Sequence, residues 1–182
     1  MPASAAKRSQ TVKSLVKRFL LGGLAVLNLF ALDQIAKAAA IAYLKDSPPV
    51  KIIDGFANFA YVENRGAAWG LFQGHVWPLA LFAIIAACFI VWKSESIFGR
   101  TKFGKFLEII LLAGIAGNLC DRLRLGCVID FIDCHWLDKW HFPCFNIADV
   151  YITAAAAGLI YLAFKGDGGK TPAGQNKQQP VR

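Results

Sequence analysis

Two aspartates beside apolar segments are the residues of this chain best placed to do chemistry. Asp130 lies just beyond the third of four apolar runs, in VIDFI, and Asp149 lies just inside the fourth, in FNIADVYI. A carboxylate at membrane depth is costly and is therefore expected to serve a function. Both aspartates return to the same side of a bilayer, so the pattern predicts acid–base chemistry at a membrane surface.

The two carboxyl groups could work as a pair. When two carboxyls share a partly dry site, both cannot ionise easily, and one of them keeps a proton. The charged carboxyl can then deprotonate a water molecule while the protonated one donates to a carbonyl oxygen. This is the arrangement of aspartic proteases. It requires that the side chains of Asp130 and Asp149 converge, which spacing along the sequence does not establish.

Other polar residues lie near the same ends of the apolar segments. Asp33 and Lys37, in DQIAK, are four apart on one helical face. This suits either a structural ion pair or a pair that positions a neighbouring group. In the third segment, GIAGNLCDRL, Asn118 shares a helical face with Asp121 and Arg122. The last two are most simply a charge-compensated structural pair.

The loop ENRGAAWG and the start of the fourth segment add further candidates. Gly66 permits close approach of another backbone, and Asn64 offers a hydrogen-bond donor and an acceptor together. A packed turn without a function would have the same composition. Asn146 lies three residues before Asp149, on the same face of a helix whose N-terminus favours negative charge.

Four apolar segments must position these side chains. The chain has 182 residues, of which 56% are hydrophobic, and the apolar residues are clustered. Each cluster can be extended to the roughly 20 residues that cross about 30 Å of hydrocarbon as a helix. We therefore predict a mainly α-helical membrane protein of one domain, with spans at about 19–44, 74–92, 103–121 and 145–164.

The connecting segments carry weaker signals. Segment 45–73 has β-branched and aromatic residues in alternating stretches, which predicts a small β-sheet on the extracytoplasmic side. The tail, 165–182, is polar and rich in Gly, Gln and Pro, which predicts a disordered cytoplasmic segment. An aromatic belt at the outer headgroup level is predicted from Phe131, Trp136, Trp140 and Phe142.

The charge distribution predicts the orientation of the spans. Basic residues are concentrated in 1–18, 93–105 and 165–182, whereas 45–75 and 121–144 are balanced or acidic, within a net charge of +8. Basic loops tend to stay in the cytoplasm. Both termini are therefore predicted to be cytoplasmic, with the two aspartates at the outer face. The same alternation argues against nucleic acid as a partner.

An alternative treats the first span as a cleavable secretory signal. A basic stretch precedes a 14-residue apolar run, and small residues follow it, as in signal peptides. However, Asp33-Gln34 falls between this run and any cleavage site. Removal of the span would also leave three spans and invert the charge pattern. We therefore predict that the first span is retained.

The five cysteines form no CxxC pair. Cys134 and Cys144 lie in an outer loop and could form a disulfide in an oxidising compartment. Together with His135 and His141, which are close to them in sequence, they are also potential zinc ligands. Their spacings match no zinc pattern, so no metal is predicted.

Five ordered motifs make this chain similar to a known family. DQIAK, NRGAAWG, GNLCDR, VIDF and FNIAD, on four spans and in this order, closely resemble the lipoprotein signal peptidase family, signal peptidase II. The resemblance covers about residues 19–164. It implies an intramembrane aspartic protease of the bacterial inner membrane. Such an enzyme cuts diacylglyceryl-modified prolipoproteins just before the lipidated cysteine.

The resemblance also implies roles for individual residues. Asp130 and Asp149 would be the catalytic pair. Supporting or substrate-binding roles would fall to Asp33, Lys37, Asn64, Gly66, Asn118, Asp121, Arg122 and Asn146. No cofactor or metal would be needed, and a monomer is expected, with prolipoprotein substrates and membrane lipid as partners. Ala36, Trp69 and Cys120 stand where the family more often has Thr, Phe and an aliphatic residue, which bears on substrate preference.

Two other functions fit the pattern less well. A proton-coupled transporter would place charges near the membrane midplane and usually carry an internal repeat, whereas these acids cluster at the outer ends of the spans. A four-span thiol oxidoreductase would need reactive cysteine pairs in both outer loops, and segment 45–75 contains no cysteine.

Overall fold

The computed structural model describes residues 2–136 and 140–167, and this part of the chain combines helices with a small four-stranded sheet. The α-helices are α1 (Pro2–Leu44), α2 (Val76–Trp92), α3 (Ser94–Phe98), α4 (Lys102–Leu125) and α5 (Ile147–Asp167). The strands are β1 (Val50–Ile53), β2 (Ala57–Asn64), β3 (Val128–Trp136) and β4 (Trp140–His141). A short 3-10 helix covers Ala68–Gly70. The predicted combination of membrane helices and a small sheet is confirmed, and most of the predicted disordered tail lies outside the described residues.

Within the described residues, three helical segments are long and apolar enough to cross a membrane: Phe19–Leu44, Lys102–Leu125 and Ile147–Lys165. They correspond to the first, third and fourth predicted spans. Helix α2, at the predicted second span, has 17 residues, about 26 Å at 1.5 Å per residue. It is apolar but shorter than the other three. Large apolar side chains along these helices are exposed on the protein surface, as expected where lipid surrounds them.

Helix α4 is the central helix and packs against α1, α2 and α5. Its first turn is capped by Thr101, whose side chain accepts a hydrogen bond from the Gly104 N–H at 3.0 Å. It ends at Gly126, which adopts a left-handed conformation with φ of 68°. Because α4 continues to Leu125, four residues past the predicted end of the span, Asp121 and Arg122 lie within the helix.

Two glycines let α4 approach its neighbours closely. A Cβ at Gly117 would lie 2.5 Å from Oδ2 of Asp33 in α1, and one at Gly114 would lie 2.6 Å from the Ala148 carbonyl in α5. Either contact is too short for a real side chain. Glycine at these two positions therefore permits the close packing of α4 against α1 and α5.

The sheet is larger than the one predicted from segment 45–73. Its strand order is β1-β2-β3-β4, and neighbouring strands pair in an antiparallel manner. Segment 45–73 supplies only β1 and β2, and the sequence pattern did not identify the two strands within 128–141. The first four residues of β3, from Val128, are buried on both faces of the strand. A strand buried in this way lacks the alternation of apolar and polar residues that marks a half-buried strand.

Phe131 does not belong to the predicted aromatic belt. Phe131 is buried in a core cluster with Ala40, Cys127 and Ile129, and its ring lies 6.3 Å from that of Phe59. It therefore belongs to the packing between the sheet and α1. The other three aromatic residues of the predicted belt are exposed: Trp136, Trp140 and Phe142.

Candidate active site

A backbone bridge brings the start of α5 beside strand β3. The N–H groups of Phe131 and Ile132 donate to the Phe145 carbonyl at 3.1 and 2.9 Å, and the Phe145 N–H donates to the Ile132 carbonyl at 3.1 Å. Phe145 thus pairs like a strand residue just before the helix begins. This pairing places the first turn of α5, with Asp149, next to Asp130.

Asn146 contacts both aspartates. Its Nδ2 donates to Oδ1 of Asp130 at 2.6 Å, and its backbone N–H donates to Oδ2 of Asp149 at 3.1 Å. The Asp149 N–H donates in return to the Asn146 Oδ1 at 3.0 Å, a reciprocal cap of the helix N-terminus. The two carboxyl groups, here called the carboxyl pair, therefore converge on Asn146, just before the start of α5. Acid–base chemistry by two carboxyls requires such convergence.

Lys37 orients a second amide toward the carboxyl pair. The Lys37 Nζ donates to the Asn118 Oδ1 at 2.9 Å. An ammonium group can only donate, so the Asn118 oxygen must face Lys37 and its Nδ2 must face away. That Nδ2 donates to Oδ1 of Asp149 at 2.7 Å. Lys37 therefore determines which end of the Asn118 amide meets Asp149.

Lys37 also lies between two buried carboxylates. Its Nζ is 2.9 Å from Oδ2 of Asp33 and 2.9 Å from Oδ2 of Asp121. Both carboxylates also accept a hydrogen bond from a backbone N–H group. The Ala148 N–H donates to Asp33 at 2.9 Å and the Ile129 N–H donates to Asp121 at 3.2 Å. We call Asp33, Lys37 and Asp121 the buried charge cluster. It ties α1 to the start of α5 and to β3.

Two expectations about these charges are corrected. Asp121 pairs with Lys37 and not with Arg122 as predicted, because it projects from α4 toward α1. Arg122 instead donates from Nη2 to the Gly66 carbonyl at 3.0 Å. The Asp33–Lys37 pair predicted from their spacing is present. It is part of a larger cluster, because the charge of Lys37 is shared between Asp33 and Asp121.

Asn64, the last residue of β2, connects the following loop to the carboxyl pair. Its Nδ2 donates to Oδ2 of Asp130 at 3.0 Å, and its Oδ1 accepts from the Gly66 N–H at 2.9 Å. A Cβ at Gly66 would lie 2.6 Å from the Leu71 carbonyl, so the loop can fold this tightly only with glycine there. The structure thus joins every sequence-predicted site residue in one hydrogen-bonded network.

Gln34 was missed by sequence reasoning. Its Nε2 donates to Asp121 Oδ1 at 3.0 Å, to Asp33 Oδ2 at 3.2 Å and to the Gly117 carbonyl at 3.3 Å. Helical neighbours one residue apart do not face each other, so the position of Gln34 beside Asp33 did not predict a shared partner. Its only sequence signal was its place within DQIAK.

The electrostatic environment distinguishes Asp130 from a surface carboxyl. Burial, and next the negative charge of Asp149, raise the pKa of Asp130 from 3.8 to about 7. The hydrogen bonds from Asn64 and Asn146 and the charge of Lys37 act in the opposite direction. Asp130 therefore holds a proton at mildly acidic to neutral pH, as one member of a shared carboxyl pair must.

The cysteines take no part in this network. All five are free in the structure, so Cys134 and Cys144 are not joined by a disulfide here. Burial raises the pKa of the Cys144 thiol to about 12. A thiol that stays protonated is a poor nucleophile, and the structure offers no support for thiol chemistry at this place.

The chain is similar over most of its length to known membrane enzymes. Residues 25–165 match the family described as Signal peptidase (SPase) II. A lipoprotein signal peptidase of Clostridium tetani is 36% identical over 140 residues, which cover 75% of this chain and 88% of the relative. One of Pseudomonas aeruginosa is 37% identical over 142 residues, covering 75% and 83%.

Solved structures agree with these matches. A bacterial membrane enzyme determined by the in meso method at 2.3 Å superposes with a TM-score of 0.69 at 29% identity, covering 86% of this chain and 94% of that one. A second, determined by the same method at 1.9 Å, gives a TM-score of 0.67 at 30% identity, covering 81% and 94%.

Proposed function

The chain belongs to the signal peptidase II family and removes signal peptides from prolipoproteins, and we propose that it does so as an aspartic endopeptidase. In this proposal Asp130 and Asp149 are the catalytic residues. The observation that carries it is the convergence of both carboxyls on Asn146, whose side chain donates to Asp130 at 2.6 Å and whose backbone donates to Asp149 at 3.1 Å.

The first chemical step assigns a different role to each carboxyl. Asp149 is the base: it lies in the first turn of α5, where the helix dipole stabilises a negative charge. It takes a proton from a water molecule, whose oxygen attacks the carbonyl carbon of the scissile peptide bond. Asp130 is the acid, and its proton passes to the carbonyl oxygen. The product is a neutral tetrahedral diol, with no charge left on the substrate.

The second step restores the enzyme. Asp149 gives the proton it has taken to the leaving nitrogen, and the carbon–nitrogen bond breaks. Asp130 takes a proton back from one hydroxyl of the diol, which becomes the new carboxyl group of the signal peptide. Both aspartates thus return to their starting states. The amides of Asn64, Asn118 and Asn146 hold the two carboxyls in place during both transfers.

The substrate and the membrane geometry follow from the same proposal. A signal peptide crosses the bilayer as a helix, and its cleavage point lies near the outer face. We propose four spans, with α2 as the second, both termini in the cytoplasm of the bacterial inner membrane, and the carboxyl pair at the outer face. The diacylglyceryl chains of the prolipoprotein remain in the bilayer, and cleavage occurs just before the lipidated cysteine. The enzyme acts as a monomer in this proposal.

Substitution of each aspartate by asparagine tests the chemistry. Asp130→Asn and Asp149→Asn keep size and polarity but remove acid–base function, so cleavage of a purified diacylglyceryl-modified precursor should fall by roughly 10² to 10⁴-fold. Asp54→Asn is the matched control, because Asp54 is an exposed outer acid whose ion pair with Lys51 is solvent-accessible. Near-normal turnover by either active-site variant would refute the assignment. An unlipidated precursor, assayed in parallel, tests the substrate class and should be cut poorly.

A reporter experiment tests the orientation independently of activity. A reporter that is active only outside the cytoplasm should give a signal when inserted after Asp46, in the turn that follows α1. The same reporter fused after Arg182 should give none. The opposite pattern would invert the topology. A mature chain beginning near Ala40 would show instead that the first span is removed, and with it Asp33 and Lys37.

A further inference from the structure

A second cluster of ionisable side chains lies at the far end of β3. Asp133, His135 and His141 each place one potential ligand atom within 4.8 Å of the others. The Asp133 Oδ1 is 3.1 Å from Nδ1 of His141, and the Asp133 Oδ2 is 3.8 Å from Nδ1 of His135. None of these three residues takes part in the hydrogen bonds of the carboxyl pair described above.

The backbone of the hairpin places these groups together. His135 and His141 are directly opposite each other in the β3–β4 ladder, and side chains opposite each other in a sheet lie on one face. Asp133 is two residues before His135 and therefore projects from the same face of β3. The two imidazole rings lie 5.1 Å apart and nearly parallel, at 23°. The cluster thus follows from the strand register.

The exposure of the cluster suits an ion that enters from solvent. The His135 side chain is 2% exposed and Asp133 is 17% exposed, so both are held by their surroundings. The His141 side chain is 54% exposed and can rotate toward an incoming ion. Two ligands are thus preorganised, and the third can close over the ion from outside.

We propose that Asp133, His135 and His141 bind one divalent transition-metal ion of the zinc type. Two imidazoles and one carboxylate are a ligand set that zinc accepts, with water in a fourth position. Ligand atoms about 2.0–2.1 Å from a tetrahedral ion lie roughly 3.3 Å from one another. The separations of 3.1 and 3.8 Å end on different carboxylate oxygens of Asp133, and the three ligand atoms lie within 4.8 Å of one another, so a small rotation of the exposed His141 would close the site around the ion. Magnesium and calcium prefer oxygen ligands alone.

The sequence pattern pointed to the wrong partners for these histidines. It paired His135 and His141 with Cys134 and Cys144, for which no zinc spacing exists. In the structure the third ligand is Asp133, because residues two apart in a strand share a face whereas adjacent residues do not. The proposed site departs from the sequence prediction of no metal, which considered these histidines only together with the cysteines, and it lies apart from the proposed chemistry.

A bound ion would clamp two segments that lead to the carboxyl pair. Asp133 is three residues after Asp130 on β3, on the order of 10 Å at about 3.3 Å per residue. His141 precedes Asn146 by five residues in the segment that enters α5. The ion therefore links the strand that carries one aspartate to the segment that positions the other. Its expected effect is on the stability of this frame.

Zinc titration of the full-length protein tests the site. The protein is purified in detergent through a tag without histidine, stripped with a chelator and titrated with zinc chloride by calorimetry. One zinc ion should bind per chain. His141→Ala, at the exposed ligand, should weaken the Kd at least tenfold, and Asp133→Asn should do the same. His75→Ala is the matched control, because His75 is exposed and lies outside the cluster, and its Kd should be unchanged.

Two further measurements complete the test. Zinc should raise the thermal unfolding temperature of the wild type and of His75→Ala but not that of His141→Ala. Cobalt in place of zinc should give a visible spectrum without a sulfur-to-metal charge-transfer band. Absence of saturable zinc binding, or an equal Kd in His141→Ala, would overturn the proposal, and so would a thiolate band. Because the readouts are binding and stability, none of these outcomes depends on whether Asp130 and Asp149 are catalytic.

Discussion

The buried charge cluster and an exposed ion pair at the predicted inner face show how differently two similar contacts can matter. Lys37 and Asp33 are 2% and 0% exposed and lie 2.9 Å apart. Arg100 and Glu95 are 83% and 64% exposed and lie closer, at 2.7 Å. The shorter distance belongs to the pair that water screens, and such pairs contribute little. Burial therefore ranks these interactions better than distance does.

The buried charge cluster is also unbalanced. One ammonium group, that of Lys37, serves two carboxylates, Asp33 and Asp121. The backbone N–H groups of Ala148 and Ile129 and the side-chain amide of Gln34 donate further hydrogen bonds to these carboxylates, but none of these donors carries a charge. Removing one partner of a buried pair costs far more than the pair contributes, because the other partner stays buried and uncompensated. The cation is therefore the most sensitive member of the cluster.

Lys37→Met should be the most damaging substitution outside the carboxyl pair. It leaves two buried carboxylates without a cation, which should lower the free energy of unfolding by about 3–5 kcal/mol. Asn118 also loses the donor that orients its amide toward Asp149. If this raises the activation free energy by about 1.4 kcal/mol or more, the cleavage rate should fall by roughly tenfold or more. Thermal unfolding in detergent and the cleavage rate measure the two effects. An unchanged unfolding temperature would contradict the buried-cluster interpretation.

Adding Asp33→Asn to Lys37→Met sharpens this test. If Asp33 and Lys37 compensated only each other, the double variant would recover the stability lost in the single variant. Because Asp121 remains buried without its cation, we expect partial recovery of stability. Strictly additive losses in a double-mutant cycle would mean that the two side chains do not interact, despite the 2.9 Å contact.

The pH dependence of activity should follow the Asp130 proton. Since the pKa of Asp130 is about 7, the acid that the proposed mechanism requires is present below that pH and is lost above it. The cleavage rate should therefore fall by about tenfold per pH unit well above pH 7. A pH–rate profile on the lipidated precursor measures this. A rate that stays constant up to pH 9 would show that this proton is not required.

The same ionisation should affect stability. The folded-state pKa of Asp130, about 7, is above the ordinary value of 3.8. Its contribution to stability is therefore fully present below about pH 3.8 and is lost as the pH rises through 7. Asp130→Asn cannot ionise, so the unfolding temperature of the wild type should fall relative to that variant between pH 5 and pH 8. If the unfolding temperatures of the wild type and of Asp130→Asn changed in parallel over this pH range, the raised pKa of Asp130 would be contradicted.

Substitutions in the exposed pair should have the smallest effect. Arg100→Gln or Glu95→Gln removes the ion pair between α3 and the segment that leads into α4, but each side chain remains solvated after its partner is lost. The unfolding temperature and the cleavage rate should both match those of the wild type. A loss comparable to that of Lys37→Met would mean that distance, and not burial, decides the strength of these contacts.

The cluster and strand β3 illustrate how far sequence reasoning reached. The i, i+4 spacing of Asp33 and Lys37 correctly placed both on one helical face. It could not reveal Asp121 as a third member, because Asp121 comes from another helix. Strand β3 was missed because its first residues are buried on both faces, which removes the alternation that identifies a strand.

The sequence by itself determined the apolar segments, the charge of the loops between them and the order of the five motifs. These properties follow from the residues of each segment alone, and they were sufficient to predict a helical membrane protein with two aspartates near its outer face. Only the tertiary structure decided how the side chains meet. Asn146 reaches Asp130 across 16 residues of sequence, and Asp33 accepts from the Ala148 N–H across 115. Such contacts depend on the packing of α1 and α4 against β3 and of α5 against α4, which no local pattern encodes.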